Sequence, residues 1–274
     1  MTETTKRKLL GREALTAIAV KSLLPTSASS ADLMQLAPAL RERAFFSART
    51  TNEGYLAKLQ DMISQVLAPE AAAPGEYIDP GTFRLQAKDY LQSIGYVPPT
   101  DRQGGVQDLS SDVRLNLILN TNVQMAQGYG DFIQGQGEAI LDQWPAQELL
   151  RVESRMEPRD WLRRWHDAGG QIFMPDQRMI ALKNEPIWTD ISAFGLPYPP
   201  FDFGSGMGIA DVDRDEAMAL GLIDRDTQVQ PQTRNLNEGL EVSADERHSD
   251  LLAALVQSLG AAAEFRDGVL RLLS

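Results

Sequence analysis

The first half of the chain places apolar residues at helical spacing. The clearest stripe follows Asn52 and consists of Tyr55, Leu56, Leu59, Met62, Ile63, Val66 and Leu67. A segment with this period buries one face when it is helical. The same spacing predicts helices over residues 6–24, 32–36, 38–48, 81–94 and from about 110 to beyond 126. We expect Asp108 or Ser110 to cap the last helix, and the glycines between 128 and 137 to weaken its end.

After Pro145 the pattern changes to short segments separated by turn residues. Partial alternation and short apolar runs predict strands over 149–156, 172–174, 179–182 and 206–212. Helical spacing predicts helices over 158–168 and 213–220, with no more than one turn of helix between 187 and 194. A strand over 149–156 would place Arg151, Glu153 and Arg155 on one face, where they could pair.

The end of the chain reads as a polar connector followed by a helix and a hairpin. The connector covers 224–240, the amphipathic helix 244–259, and the two hairpin strands 261–265 and 269–273. The whole pattern predicts an α+β fold in three regions. These are a mainly helical N-terminal region over 1–137, a small mixed helix and strand module over 138–228, and a C-terminal helix and hairpin over 229–274.

The composition excludes several kinds of site. The 274 residues include no cysteine, which rules out disulfides, thiolate zinc sites and cysteine nucleophiles. No apolar run approaches the roughly 18 residues that suggest a membrane span, so we expect no membrane partner.

The net charge of −12 is distributed unevenly along the chain. Residues 1–50 carry eight basic and four acidic side chains, a net charge of +4, which leaves −16 on the remainder. An acidic protein repels phosphates and is a poor non-specific ligand for nucleic acid. The basic N-terminal end is therefore the part suited to a weak contact with DNA, and a solvated helix face is the alternative interpretation of these charges.

Two motifs resemble ligand-binding loops without meeting their requirements. The glycine-rich stretch 204–208 lacks the Gly-Lys-Ser/Thr ending of a phosphate loop, so we interpret it as a flexible turn. The stretch 211–215 begins like a calcium loop. Such a loop needs glycine at its sixth position and glutamate at its twelfth, where this chain has Glu216 and Leu222. Acidic residues at a helix N-terminus explain it better.

The two histidines, His166 and His248, do not have the spacing of a metal site. His166 with Asp167, beside Trp165, has the composition of a general-base pair. The alternative is a structural histidine packed at the end of a helix. From these patterns we expect no catalytic residue, no metal and no cofactor.

All four tryptophans and the densest aromatic and proline cluster lie between residues 144 and 208, together with five closely spaced arginines. Such clustering is typical of a compact core, and arginine beside tryptophan stacks well. We expect Trp165, Trp188 and Phe203 to pack together. The candidate structural and docking core consists of Arg151, Arg159, Trp161, Trp165, His166, Trp188, Pro199, Pro200, Phe201 and Phe203.

Residues from about 110 to 222 resemble the phage Mu F-like minor head proteins, also called phage head morphogenesis proteins. The resemblance rests on the order of the motifs. They are Arg151 and Arg159, Trp165-His166, Gly169-Gly170, Glu185-Pro186-Ile187-Trp188, and the stretch from Pro199-Pro200 to Phe203-Gly204. Many family members carry Cys-x-Cys directly after the last motif, where this chain has Ser205-Gly206-Met207. A metal or thiol role of that pair is therefore absent here.

The resemblance implies a structural minor head protein of a phage or prophage. Such a protein docks onto the portal protein or the major capsid protein during head morphogenesis or DNA delivery. It is present in few copies in the virion head, after assembly in the bacterial host cytoplasm. Through its basic N-terminal end it would make a weak contact with packaged DNA.

A second class stays open, because modules of this family are sometimes joined to toxin enzymes such as ADP-ribosyltransferases. An added enzyme domain needs an acid or nucleophile cluster of its own. The 46 residues after position 228 are short for such a domain.

Overall fold

The structure, a computed structural model, describes residues 13–34, 38–68, 77–233, 241–243, 263–266 and 269–272. Its helices and strands form an α+β fold, which confirms the expected fold class. Contacts divide the described chain into two compact units. One contains Gln124–Arg234, and the other contains Ala14–Val123 together with the strands after residue 240. Among the described residues, no helix combines the length and the apolar character that crossing a bilayer requires.

The unit of residues 14–123 is mainly helical, as its apolar stripes predict. Its helices are α1 (residues 13–19), α2 (Ser30–Met34), α3 (Pro38–Arg43), α4 (Glu53–Leu67), α5 (Pro80–Ser93) and the first part of α6 (Asp112–Gly135). Asn52 caps α4, because its side-chain oxygen accepts a hydrogen bond from the Tyr55 backbone N–H at 2.8 Å. The stripe of α4 is buried, and Leu59 and Met62 are both 0% exposed.

Two short strands replace helix that the local spacing predicts. The helix expected over 38–48 ends at Arg43, and β2 (Ala44–Phe45) follows it. β2 pairs in parallel with β1 (Ser22–Leu23), and β1 lies within the helix predicted over 6–24. Phe45 is 1% exposed and its carbonyl accepts from the Leu24 N–H at 2.9 Å. Pairing between strands about twenty residues apart, together with the burial of Phe45, thus overrides the weak local preference for helix. The predicted residues before 13 lie outside the described part.

Helix α6 differs from the prediction at both ends. Its first turn is capped by Ser111 rather than Asp108 or Ser110, since the Ser111 hydroxyl accepts from the Arg114 N–H at 3.1 Å. Asp108 instead accepts from the Gly104 N–H at 2.9 Å and closes the preceding loop. The helix also continues through its glycines to residue 135. Gly128 is required for packing, because a Cβ there would lie 2.3 Å from the carbonyl oxygen of Pro199.

The unit of residues 124–234 is built on a four-stranded antiparallel sheet. The strands are β3 (Ala146–Arg151), β4 (Ile172–Phe173), β5 (Arg178–Leu182) and β6 (Met207–Val212), in the order β4-β5-β3-β6. The helices are the second part of α6, α7 (Glu138–Gln143), α8 (Trp161–Asp167), α9 (Ile187–Asp190) and α10 (Arg214–Ala219). The hairpin of β4 and β5, the single turn α9 and the helix α10 confirm the predictions for these segments.

The two faces of this sheet pack against different clusters. One face carries Leu149, Met179 and Met207, which pack with the tryptophans. The other carries apolar side chains that pack with Ala217 of α10. On this second face Arg178 donates to Glu148 at 2.7 Å and also to Glu216. These hydrogen bonds raise the pKa of the Arg178 guanidinium above its ordinary value, and those to Glu148 have the largest effect.

The first strand of the module is shifted relative to the prediction. It begins at Ala146 and ends at Arg151, instead of covering 149–156. The N–H groups of Val152 and Glu153 both donate to the carbonyl of Gly206, at 2.9 and 3.1 Å, so the regular ladder stops there. Arg151, Glu153 and Arg155 therefore do not share one face of a strand. Arg155 and Glu153 nevertheless form an ion pair.

The calcium-like motif is the N-terminus of α10, as expected. The side chain of Asp213 accepts from the Glu216 N–H at 2.8 Å, and Asp215 and Glu216 lie in the first turn.

The last described strands form a separate three-stranded sheet. They are β7 (Glu241–Ser243), β8 (Ala263–Arg266) and β9 (Val269–Leu272), in the order β7-β9-β8. The antiparallel pairing of β8 and β9 confirms the predicted hairpin. β7 lies between the connector predicted over 224–240 and the helix predicted over 244–259, where no strand was predicted. The amphipathic helix predicted over 244–259 lies outside the described residues.

Candidate functional site

An aromatic core lies in the unit of residues 124–234. We call it the tryptophan core, and it consists of Leu149, Trp161, Trp165, Met179, Ala181, Ile187, Trp188, Ile191, Phe201 and Met207. Trp165 and Trp188 are both 0% exposed and meet edge to face, with ring centroids 5.2 Å apart. Phe201 lies 6.1 Å from Trp188. The indole N–H groups donate to the carbonyls of Gln171 and Leu182, each at 2.8 Å. Both tryptophans are thus buried with their polar atoms paired.

The prediction that Phe203 belongs to this core is wrong. Its side chain is 36% exposed and packs at 4.8 Å on Phe194, while Phe201 fills the place beside Trp188. Residues two apart share a face only when the chain stays extended. Phe201 has a φ of 50°, in the left-handed region, so the alternation is broken between these two phenylalanines.

The predicted packing of His166 is also wrong. Helix α8 buries Trp161 and Trp165, which are four residues apart, and residue 166 is turned about 100° away from 165. The His166 side chain is 76% exposed, and its Nδ1 lies 3.5 Å from Asp167 Oδ1. Trp161 is stacked by Arg164, whose guanidinium carbon is 4.9 Å from the ring centroid.

Four arginines hold the loop that follows Pro199-Pro200. We call them the arginine clasp. Each donates to a different residue between 202 and 205: Arg151 to the Ser205 carbonyl (3.4 Å), Arg155 to the Gly204 carbonyl (2.8 Å), Arg159 to the Phe203 carbonyl (3.0 Å), and Arg164 to the Asp202 carboxylate (3.0 Å). The loop has little regular backbone bonding of its own, so these side chains satisfy its carbonyls.

The turn inside the clasp is closed from within by Ser205. This side chain is 2% exposed; its hydroxyl donates to the Pro200 carbonyl and accepts from the Met207 N–H at 3.2 Å. Gly206 has a φ of 67°, and a Cβ there would lie 2.6 Å from the Glu153 carbonyl oxygen. The glycine-rich stretch is therefore a turn, as expected, and Ser205 supplies two of the hydrogen bonds that hold it.

Asp202 is the charged partner of the clasp, and its neutralisation is expected to weaken the unit. Its carboxylate is 3.0 Å from Arg164 and 3.4 Å from Arg159. We expect Asp202→Asn to lower the free energy of unfolding by about 1 kcal/mol, a value discounted for the partial exposure of both arginines. Urea denaturation followed by far-ultraviolet circular dichroism measures this. The matched control is Asp167→Asn, whose exposed pairs should make a change below about 0.5 kcal/mol. Equal effects of the two variants would contradict a special role of Asp202.

A cleft that was not predicted from the sequence lies at one end of the sheet. It has a volume of about 510 Å³, with walls from α6, α7, β3, β6, the end of β5 and the 197–198 loop. Lys183, with a side chain only 4% exposed, lies 2.7 Å from Asp211 Oδ1 in the cleft wall. The buried Nε2 of Gln134 has no hydrogen-bond partner among the described residues. The apolar lining residues are Phe132, Ile140, Trp144, Pro197, Tyr198 and Ile209.

One signal in the sequence points to this cleft. Met179 and Ala181 face the tryptophan core, and the alternation continues to Lys183, which is therefore directed to the same face. A charged residue at an inward position needs a partner. That Asp211 supplies it follows only from the pairing of β3 with both β5 and β6.

Within the described residues, no group of three or more histidine, aspartate or glutamate side chains is placed to hold a metal ion. Neither a protein-family model, nor a curated protein, nor a solved structure matches this chain. The resemblance to the Mu F-like proteins therefore rests on the motifs alone.

Proposed function

We propose that the protein is a structural minor head protein of a phage or prophage. It docks onto the portal protein or the major capsid protein in head morphogenesis or DNA delivery, and it catalyses no reaction. It is assembled in the bacterial cytoplasm and resides in the virion head. The basic N-terminal end supplies a weak contact with packaged DNA.

The observation that carries this proposal is the way in which the family-like motifs meet in one unit. Arg151 and Arg159 bind the loop of the Pro-Pro-x-x-Phe-Gly motif, while Trp188 of the Glu-Pro-x-Trp motif packs between Trp165 and Phe201. Contacts that span up to 54 residues of sequence thus serve one packing arrangement. Such an arrangement favours a rigid platform, which suits docking better than turnover.

The exposed His166–Asp167 pair gives the enzyme alternative little support. A general base acts on a substrate held beside it, and this pair lies on the solvent-facing side of α8, with side chains 76% and 61% exposed. The cleft around Lys183 and Asp211 is lined by neither His166 nor Asp167. It is the more suitable place for a partner.

Co-purification with the portal protein of the phage or prophage that carries this gene tests the proposal. We expect a complex at low salt that persists at moderate salt, because buried apolar contacts supply affinity while charge mainly sets orientation and rate. Particles that assemble, package DNA and infect normally after deletion of the gene would contradict the proposal. So would an enzymatic activity that His166→Ala abolishes while the circular dichroism spectrum stays unchanged.

A further inference from the structure

Among the described strands, β6 is an edge of the four-stranded sheet, and its register with β3 shows which backbone groups face outward. The Val152 N–H donates to the Gly206 carbonyl at 2.9 Å, which makes these two residues a hydrogen-bonded pair. The antiparallel register of β3 and β6 continues from this pair, and hydrogen-bonded pairs recur at every second residue. Gly208, Ala210 and Val212 therefore bond to β3. The backbone groups of Met207, Ile209 and Asp211 point away from the sheet.

Most of these outward groups are unused within the described part of the chain. Ser205 accepts from the Met207 N–H at 3.2 Å. The backbone N–H and carbonyl groups of Ile209 and Asp211 form no hydrogen bond with any other described residue. Ala210 and Asp211 are exposed. A strand edge with unpaired backbone groups of this kind is a template for the addition of another strand.

The cleft lies directly beside this edge. Ile209 and Asp211 form part of its wall, and Trp144 and Ile140 also line it. A strand added at β6 would run about 4.8 Å away, with every second side chain on the cleft side. At about 510 Å³ the cleft has room for a large side chain.

Charge indicates which kind of segment fits. Residues 124–234 carry 18 acidic and 10 basic side chains, a net charge of −8. In the cleft, Lys183 is already paired with Asp211, whose side chain is 44% exposed and keeps a second carboxylate oxygen for a partner. A cationic segment is therefore favoured over an anionic one.

We infer that β6 binds an extended, basic segment of a partner protein as a fifth strand, with an apolar side chain of that segment in the cleft. Backbone hydrogen bonds to Ile209 and Asp211 hold the segment, and the cleft selects the side chain. The identification of the partner as a head protein rests on the proposed function. The evidence for the β6 edge and for the cleft is independent of that function.

The experiment measures binding of a fluorescein-labelled Lys-Val-Lys-Val-Lys-Val peptide to the full chain by fluorescence anisotropy. Ile209→Pro removes an outward N–H without removing a bond to β3. We expect it to weaken binding roughly tenfold or more, the effect of losing a peptide hydrogen bond and obstructing the edge. The same peptide with alternate N-methylated residues should bind about as weakly, and the acidic counterpart Glu-Val-Glu-Val-Glu-Val more weakly than the basic one.

The matched control is Ile172→Pro, on the opposite edge. The Lys183 N–H donates to the Pro145 carbonyl at 3.0 Å, so every second residue of β5, counted back from Lys183 to Met179, bonds to β3 through its backbone. The backbone groups of Arg178 point the other way and bond with Phe173 of β4. The Ile172 N–H therefore faces away from the sheet. Ile172 and Ile209 are both partly buried against the tryptophan core. We expect Ile172→Pro to change the peptide affinity less than about twofold.

Several outcomes would overturn the inference. These are the absence of saturable binding, equal binding by Ile209→Pro and the unchanged chain, or equal weakening by the two proline variants. A concentration-dependent dimer that Ile209→Pro dissociates would assign the edge to a second copy instead. The same experiments distinguish this inference from the proposed function. A chain that is found in particles but binds no peptide contradicts only strand addition at β6. A chain that binds the peptide but is absent from particles contradicts only the head-protein role.

Discussion

Replacing Trp188 by alanine is expected to lower the free energy of unfolding of the 124–234 unit by roughly 3–5 kcal/mol. The side chain is 0% exposed, its indole N–H is paired with the Leu182 carbonyl, and its ring lies between Trp165 and Phe201. Truncation leaves a large cavity and an unpaired carbonyl. Urea denaturation followed by far-ultraviolet circular dichroism measures the change without relying on tryptophan fluorescence.

Phe203→Ala is the control for this prediction. Phe203 was expected in the same core, but it is 36% exposed and contacts Phe194 outside it. Its truncation should cost about 1 kcal/mol, since much of its surface already meets water. If the two truncations were equally destabilising, Trp188 would not be the centre of the core.

Replacing Gly128 by alanine is expected to destabilise the same unit by about 2–3 kcal/mol, although alanine favours a helix by about 1 kcal/mol over glycine. The added Cβ would lie 2.3 Å from the Pro199 carbonyl oxygen and 3.2 Å from Tyr198 Cδ2. The first of these atoms belongs to the backbone, so relief of the clash requires α6 or the 197–200 loop to shift. The thermal midpoint and the urea midpoint should both fall.

Gly135→Ala is the matched control in the same helix. The nearest atom to its added Cβ, Lys183 Nζ, is 3.9 Å away, which is an ordinary contact. We expect this variant to be neutral or slightly more stable, within about 0.5 kcal/mol. A stabilising effect at both glycines would show that α6 does not approach Pro199 as closely as the structure describes.

Elements with strong local signals could be predicted from the sequence. The cap at Asp213, the hairpin of β4 and β5 and the stripe of α4 each depend on residues within a few positions of one another. Local hydrogen bonds and periodicity determine such elements, so a single sequence contains the necessary information. The same holds for the mainly helical character of residues 14–123.

Features that depend on distant contacts could not be predicted. The pairing of β1 with β2 replaces helical spacing because Phe45 is buried in a tertiary environment. The exchange of Phe203 for Phe201 in the core follows from one left-handed residue. Neither a φ angle at a phenylalanine nor a long-range partner is visible in composition or period.

The candidate site was predicted in part. The tryptophans and arginines were found because they cluster in the sequence, and the structure gives the arginines an internal role, in which they bind loop carbonyls. The cleft was missed because its wall is assembled from elements more than 70 residues apart. Lys183, as an isolated charge on an inward-facing position, was the available signal.

Quantitative mass spectrometry of purified particles tests the head-protein role most directly. The particles are produced from the bacterium or phage that carries this gene and purified through a density gradient. We expect peptides of this chain to co-sediment with the portal protein, at few copies per particle and far below the major capsid protein. A chain that is abundant in the host lysate but absent from intact, DNA-filled particles would contradict that role.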